Sequence, residues 1–300
     1  MTVEHPEALH SLGSRFRYGI FAALVRCRLI APARLALAAV VLYYTLVPQV
    51  RRRCAAYLAR RFPGLGPLRR LVCAYRLYLA YGNVLLDRMI AGITGRFSLC
   101  ATAPEVRRRL ADAGKNPRGR IVLSAHIGAW QVGLAGLEQF DTPVNIVQRK
   151  TPGDPDKHYF ERGKGKPFRV IDAADPVGSL VEAAAALRRG EIVCLMGDRL
   201  PARSPASHGV EIPFLGGVVR LPVNAYALAS LTGADLLMLF TVREKGHTKA
   251  LSAERIEVPP GLPRRDPAVF RPYALRFARG MEEVVARYPY QFFNFYDMWL

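Results

Sequence analysis

Short apolar runs bounded by turn residues are the mark of strands buried on both faces. Arg120–Ser124 (RIVLS), Pro143–Gln148 (PVNIVQ), Phe168–Asp172, Glu191–Met196 (EIVCLM) and Asp235–Val242 have this form. Helical patterns fall between them: Gly128–Leu137, the alanine-rich Val177–Arg189 stopped by Gly190, and Val223–Thr232 stopped by Gly233. A glycine just past a helix takes the left-handed conformation that ends it. Arg271–Tyr288 reads as a closing helix, followed by an aromatic tail. Strands alternating with helices predict an α/β fold, a mostly parallel sheet flanked by helices. Thr151–Pro167 and Pro201–Gly217 read as long loops, which in a compact α/β domain are often functional.

The first third has a different texture. Leu29–Val47 is an apolar run with Arg34 inside it and Pro32 and Pro48 near its ends. Its length is borderline for a bilayer span, which needs ~20 residues. Arg15, Arg17, Arg26 and Arg28 precede it, and Arg51, Arg52 and Arg53 follow it. A simple span carries its basic excess on one side. Arginines on both sides instead predict a helix in or dipping into the membrane interface, its arginines snorkelling to phosphates, with a buried core helix as the alternative. The run begins too late, and lacks a small-residue cleavage site, for a signal peptide. Arg69–Ile90, with Tyr75, Tyr78 and Tyr81 at spacing three, predicts a second amphipathic helix. The expected organisation is an N-terminal helical, membrane-associated region (1–115) and an α/β body (116–300).

Composition then narrows the class. Of 300 residues, 51% are hydrophobic and 22% charged, which excludes intrinsic disorder. Lys and Arg number 43 against 24 Asp and Glu, a net charge of +19 that favours anionic partners. The five cysteines, Cys27, Cys54, Cys73, Cys100 and Cys194, are widely spaced and odd in number, against a disulfide scaffold or a zinc ribbon. The remaining histidines are scattered, and no metal site is expected. A nucleic-acid partner is not expected either, because the arginines flank apolar helices and no recognition motif accompanies them.

No phosphate-loop, nucleophile-elbow or zincin motif is present. The informative string is Ser124–Gln131, SAHIGAWQ. Here His126 follows a buried strand and precedes a helix, at the carboxyl end of the sheet where open α/β folds keep their sites. Gln131, five residues on, is close enough to turn its side chain back to the imidazole, and a histidine so held is a general base.

SAHIGAWQ resembles the His-x4-Asp/Glu motif of the lysophospholipid acyltransferase superfamily, in the branch of lipid A biosynthesis (lauroyl/myristoyl) acyltransferases. VNIVQRK resembles that family's strand ending in an arginine, here Arg149. CLMGDRLP resembles its block with an aspartate after a buried strand, here Asp198. Glu211–Gly216 (EIPFLG) is similar to its Val-Pro-Phe-Phe-Gly element, and LYYTLVP and YPYQFFNFYDMW agree in character.

The resemblance implies an enzyme at the cytoplasmic face of the inner membrane. It would transfer an acyl group from an acyl-carrier-protein or coenzyme A thioester to a hydroxyl of a lipid or glycolipid acceptor. No cofactor beyond that co-substrate is implied; acyl carrier protein and membrane lipids are the implied partners. His126 would take the hydroxyl proton, and backbone N–H groups near Gly128 would stabilise the oxyanion. Arg149 would hold a substrate phosphate or carboxylate, and Asp198 would organise the site, pairing with Arg149 or Arg199. Gly128, Trp130, Arg149 and Arg199 are thus the substrate-binding candidates, beside His126, Gln131 and Asp198. One departure stands out: Gln131 occupies the acidic partner's place. Its carbonyl can orient His126 but carries no charge for the imidazolium, unless Asp198 or Glu138 substitutes. The alternative is a catalytically weakened relative that binds or presents lipids.

Overall fold

The structure, a computed structural model, describes residues 15–95, 106, 108, 117–130, 142–149, 168–200, 204–205, 208–263 and 265–300. Gln131, Glu138, Cys100, the helical pattern beyond Trp130 and the stretch Thr151–Pro167 lie outside the described residues.

Helices come first: α1 (Arg15–Arg26), α2 (Ile30–Leu46), α3 (Pro48–Arg61) and α4 (Pro67–Thr94). Pro48 and Pro67 each open a helix, where a missing N–H costs nothing and the fixed φ is already helical. Gly95 ends α4 at φ +66°, the left-handed cap. The body then runs β1 (Arg120–Ser124), β2 (Val144–Gln148), β3 (Arg169–Asp172), α5 (Pro176–Arg188) and β4 (Ile192–Met196). After these come β5 (Gly209–Phe214), β6 (Gly217–Pro222), α6 (Asn224–Thr232), β7 (Asp235–Glu244), β8 (His247–Ile256) and α7 (Arg271–Arg287).

Among the described residues the main sheet has the order β3-β2-β4-β1-β7-β8. Its neighbours pair in parallel except β8, which runs antiparallel to β7 at one edge. The alternation of side chains in β1 shows why the runs are apolar throughout. Ile121 and Leu123 enter the large core cluster on one face, while Val122 joins Val144, Ile146, Ile192 and Cys194 on the other. The sheet is therefore the α/β arrangement read from the sequence.

Two elements differ from that reading. Pro201–Gly217 is not all loop: Gly209–Phe214 pairs with Gly217–Pro222 as a hairpin closed by Leu215 and Gly216, both at positive φ. Pro213 inside the run argues against a strand in a sheet interior, but this two-stranded ribbon tolerates it. A leucine at φ 47° is unusual, and its N–H donates to Glu282 Oε1 at 2.6 Å, which holds the turn against α7. The strand β8 also escaped the pattern, because an edge strand carrying His247, Lys249, Glu254 and Arg255 has no continuous apolar run.

One core cluster joins the N-terminal helices to the body. Val50, Cys54, Tyr57, Leu58, Leu77 and Tyr78 belong with Leu123, Phe240 and Phe277. The aromatic tail is the seam. Phe292 meets Tyr57 edge-on at 5.1 Å, Phe295 stacks on Tyr78 at 5.0 Å, and Phe293 lies 5.1 Å from Tyr81. Arg61 donates to the Val285 and Ala286 carbonyls, satisfying the open end of α7.

No single helix among the described residues is long and apolar enough to cross a membrane; α2 and α3 reach that length and composition together but bend by 88° between them. Arg34, expected to snorkel toward phosphates, turns inward instead. It donates to Asn83 Oδ1 at 2.7 Å and Asp87 Oδ1 at 2.8 Å, since a carboxylate on α4 lies within reach.

Candidate functional site

His126 stands two residues beyond β1, and Asp198 two residues beyond β4. These strands are parallel neighbours with Ser124 opposite Met196, so continuing the register places position 126 opposite position 198. Gly197 N–H extends the ladder by donating to Ser124 O at 2.8 Å. A Cβ at Gly197 would stand 2.7 Å from Leu123 Cδ1 and 3.0 Å from Phe277 Cε1, so the strand end closes tightly only with glycine here. The result is that both Asp198 carboxylate oxygens lie 3.0 Å from His126 Nδ1.

The imidazole is positioned from its own backbone as well. Phe293 N–H donates to His126 O at 2.8 Å and Gly128 N–H to Gln291 O at 2.7 Å, a bridge in which Ile127 faces Phe292. Gln291 in turn exchanges side-chain hydrogen bonds with the Arg243 backbone, accepting from its N–H and donating to its O, each at 2.8 Å. Gly128 is at φ +56°, and a Cβ there would collide with the Thr241 carbonyl and stand 2.7 Å from Val242 Cα. Trp130 meets the imidazole edge-on, ring centres 5.3 Å apart.

Asp198 is buried, 1% exposed, while His126 keeps 24% of its side chain exposed. Burial, with help from the Arg199 charge, holds the imidazole below the usual histidine pKa; Asp198 opposes this through charge and hydrogen bond. Burial pushes the Asp198 carboxyl up, but the imidazole, its hydrogen bond and Arg199 together hold it below the usual carboxylate range. The pair at neutral pH is thus a neutral histidine beside an ionised aspartate. With the carboxylate accepting at Nδ1, that nitrogen carries the proton and Nε2 keeps its lone pair.

His126 lines a cavity of about 250 Å³. Trp130, Ile146, Val147, Ala173, Leu195 and Met196 make much of its wall apolar. Arg149, just past β2 and exposed, lies on the same cavity with Gln148 and Ser124. The buried Cys194 also borders it, and burial raises its thiol pKa well above the usual value.

Two expected roles change. The N–H groups of Ile127, Gly128 and Ala129 donate to Ala125 O, Gln291 O and Thr241 O, so the oxyanion donors expected near Gly128 are not these three. Being spent on holding the turn, they hold the histidine. Arg199, expected to bind substrate, faces the protein: it donates to Phe293 O, sits 5.7 Å over the Tyr296 ring, and its Nε lies 3.6 Å from Asp198 Oδ2. That last distance is an ion pair but too long for a hydrogen bond. The Nδ1 contact expected of Gln131, which lies outside the described residues, is made by Asp198. No group of three or more His, Cys, Asp or Glu able to hold a metal occurs among the described residues.

The sequence reading left open which carboxylate serves His126 and missed the tail's grip on the histidine turn. The first was within reach: Ser124/Met196 and His126/Asp198 share one offset along two equally long strands. Nothing local in Gln291–Phe293 signals the second.

An α/β sheet with a histidine–carboxylate pair at its carboxyl edge, opening on an apolar cavity, defines a class of hydrolytic or group-transfer site. The family is given by comparison: residues 107–300 match the model of bacterial lipid A biosynthesis acyltransferases, and the chain belongs to that family. It is also similar to the phosphatidylinositol mannoside acyltransferases of two Mycobacterium tuberculosis strains. The match to the CDC 1551 / Oshkosh protein is 29% identical over 124 residues, 40% of this chain and 37% of the relative. That to the H37Rv protein is 28% identical over 121 residues, with the same coverage. The chain thus spans a little over a third of the length of these curated relatives.

Proposed function

We propose that the protein transfers a fatty acyl group from a thioester, carried by acyl carrier protein or coenzyme A, to a hydroxyl of a membrane lipid or glycolipid. The observation that carries this reading is the His126–Asp198 pair opening on an apolar cavity. Family membership supports acyl transfer, and the relatives named for phosphatidylinositol mannoside support a glycolipid acceptor.

The chemistry follows from the tautomer. Nε2 of His126 removes the proton of the acceptor hydroxyl as its oxygen attacks the thioester carbonyl. The new C–O bond gives a tetrahedral oxyanion; its collapse breaks the C–S bond, and the imidazolium returns the proton to the leaving thiolate. Asp198, ionised and buried, holds the ring and stabilises the imidazolium between the two transfers. The charge missing from Gln131 is thereby supplied from β4, which favours a working enzyme over a weakened lipid-binding relative. The acyl chain lies along the apolar wall, and Arg149 at the cavity meets a phosphate or carboxylate of one substrate. The net charge of +19 suits an acidic carrier protein and an anionic inner-membrane leaflet.

Incubating the protein with acyl thioesters and a bacterial lipid extract tests the reading. Released thiol together with a new acyl ester, found by mass spectrometry and absent with His126→Ala, is expected. Lipid binding without thiol release from any thioester would leave the lipid-presenting alternative.

A further inference from the structure

Two polar side chains interrupt the apolar wall of the cavity, and the strand register says where. Along a strand, side chains alternate between the two faces of the sheet. Val122, Ile146 and Cys194 pack on one face, so the even-numbered residues of β1, β2 and β4 share it. Ser124 is opposite Met196 on that face. Ile146 is opposite Cys194, and continuing that register by two residues sets Gln148 opposite Met196. Ser124, Met196 and Gln148 thus form one row across three strands, and all three line the cavity. The row beneath it holds Cys194 and Ile146, and the His126–Asp198 pair stands one row above. At ~3.3 Å per residue, successive rows are about 6.6 Å apart.

Ser124 is buried and Gln148 half-buried, and neither side chain has a hydrogen-bond partner among the described residues. Buried hydroxyls and amides are ordinarily paired; Thr45, for one, donates to Val41 O at 2.7 Å. A substrate that fills the cavity strips water from Ser124 and Gln148 and must offer hydrogen bonds in return. Both groups are neutral, and each can donate and accept, which a hydroxyl matches. The row beneath is apolar, so the occupant continues past the polar row as hydrocarbon. A sugar or a charged headgroup would set its own polar groups against Ile146 and Cys194. The occupant that fits both rows is an acyl chain with one oxygen near its head.

We propose that Ser124 and Gln148 determine the choice of acyl donor, and that the preferred donor is a hydroxyacyl thioester. With the thioester carbonyl at His126, one row spacing of about 6.6 Å corresponds to roughly five bonds of an extended chain. The hydroxyl therefore lies within about the first six carbons, between Ser124 and Gln148, and the rest of the chain runs over Cys194 and Ile146. An unsubstituted chain leaves both polar groups desolvated and unpaired. Sites that hydrogen-bond a substrate hydroxyl reject the analogue lacking it for this reason. The proposal rests on the acyltransferase reading for the thioester; the choice between chains is also measured without the reaction.

The test compares dodecanoyl, 3-hydroxydodecanoyl and 5-hydroxydodecanoyl thioesters, on acyl carrier protein and on coenzyme A, as donors to a bacterial lipid extract. Calorimetry with the matching unreactive pantetheine thioethers measures binding alone. Wild type should use at least one hydroxyacyl donor with kcat/KM at least about tenfold above that for dodecanoyl. Ser124→Ala and Gln148→Met should each lower kcat/KM for that donor and raise it for dodecanoyl, because the chain then meets an apolar wall. A misfolded variant would lose both, so the opposed changes identify the subsite. Equal use of the three chains by wild type would overturn the proposal. So would variants that keep the donor preference and raise KM for the lipid acceptor instead. Should no thioester be consumed, the acyltransferase reading fails and the thioethers decide. Tighter binding of a hydroxyacyl thioether that Gln148→Met abolishes would uphold the subsite, and equal binding of all three would overturn it.

Discussion

At the residue scale the chemistry is a matter of protons. Deprotonated His126 is the active form, and its pKa lies below the usual 6.5. Activity should therefore rise with pH along a limb whose midpoint is below 6.5. In Asp198→Asn the negative charge that favours the imidazolium is gone, so the pKa falls further and the limb moves to lower pH. The same variant should lower kcat by about 10²–10⁴-fold, the usual worth of a positioned acid–base pair. A pH–rate profile of thioester consumption for both proteins checks direction and size together. Stability has a matching sign. Below pH 6.5 the unfolded chain takes up a proton that native His126 resists, so this group's contribution to stability is lost as pH falls from 6.5 toward the native pKa. Gln131→Glu should keep or raise turnover, since the Nδ1 partner is already Asp198. A large loss in its steady-state kinetics would mean the glutamine does more than orient the ring.

Gly128 belongs to the same scale. Its left-handed φ and the nearby Thr241 carbonyl leave no room for a side chain. Gly128→Ala should cost about 1–3 kcal/mol, seen as a lowered Tm, from backbone strain alone. The histidine's place after RIVLS was legible because a residue between a buried strand and a helical pattern stands at the carboxyl edge of an α/β sheet. Its carboxylate partner was not singled out, because a contact over 72 positions exists only once β1 and β4 are laid side by side.

At the element scale the legible parts are those that carry their own period. The buried strands β1, β2, β4 and β7, and the glycine-stopped helices α5 and α6, fall within a residue or two of the sequence reading. The hairpin β5–β6 and the edge strand β8 were missed for a shared reason: each leaves residues solvated, so neither shows an uninterrupted apolar run. The cavity is also an element-level product, assembled from the carboxyl ends of β1, β2, β3 and β4. Ala173, just past β3, is a small residue on its wall. Ala173→Trp should reduce kcat/KM for long-chain acyl thioesters at least about tenfold, with short-chain thioesters much less affected. A donor-length series measured on the two proteins would show it.

At the scale of the whole molecule, the N-terminal helices and the α/β body share one core, joined by the aromatic tail. The sequence suggested the helices and the tail separately; which rings would meet depended on the fold. Asp87 is the polar counterpart of that junction, tying α2 and α4 to β7 through Arg34 and Arg243. Asp87→Ala leaves two half-buried guanidinium groups facing each other and should destabilise the protein by about 1–3 kcal/mol. Thermal unfolding should then begin in a less cooperative transition if α2 detaches first.

All of this depends on His126 taking the proton of an alcohol. The most direct measurement is thiol release from a long-chain acyl thioester in the presence of a lipid acceptor, comparing wild type with His126→Gln. Glutamine keeps a similar bulk and removes the base. A loss of about 10²-fold or more, with thioester binding retained, is expected. Equal rates of acceptor-dependent release by the two proteins would contradict it.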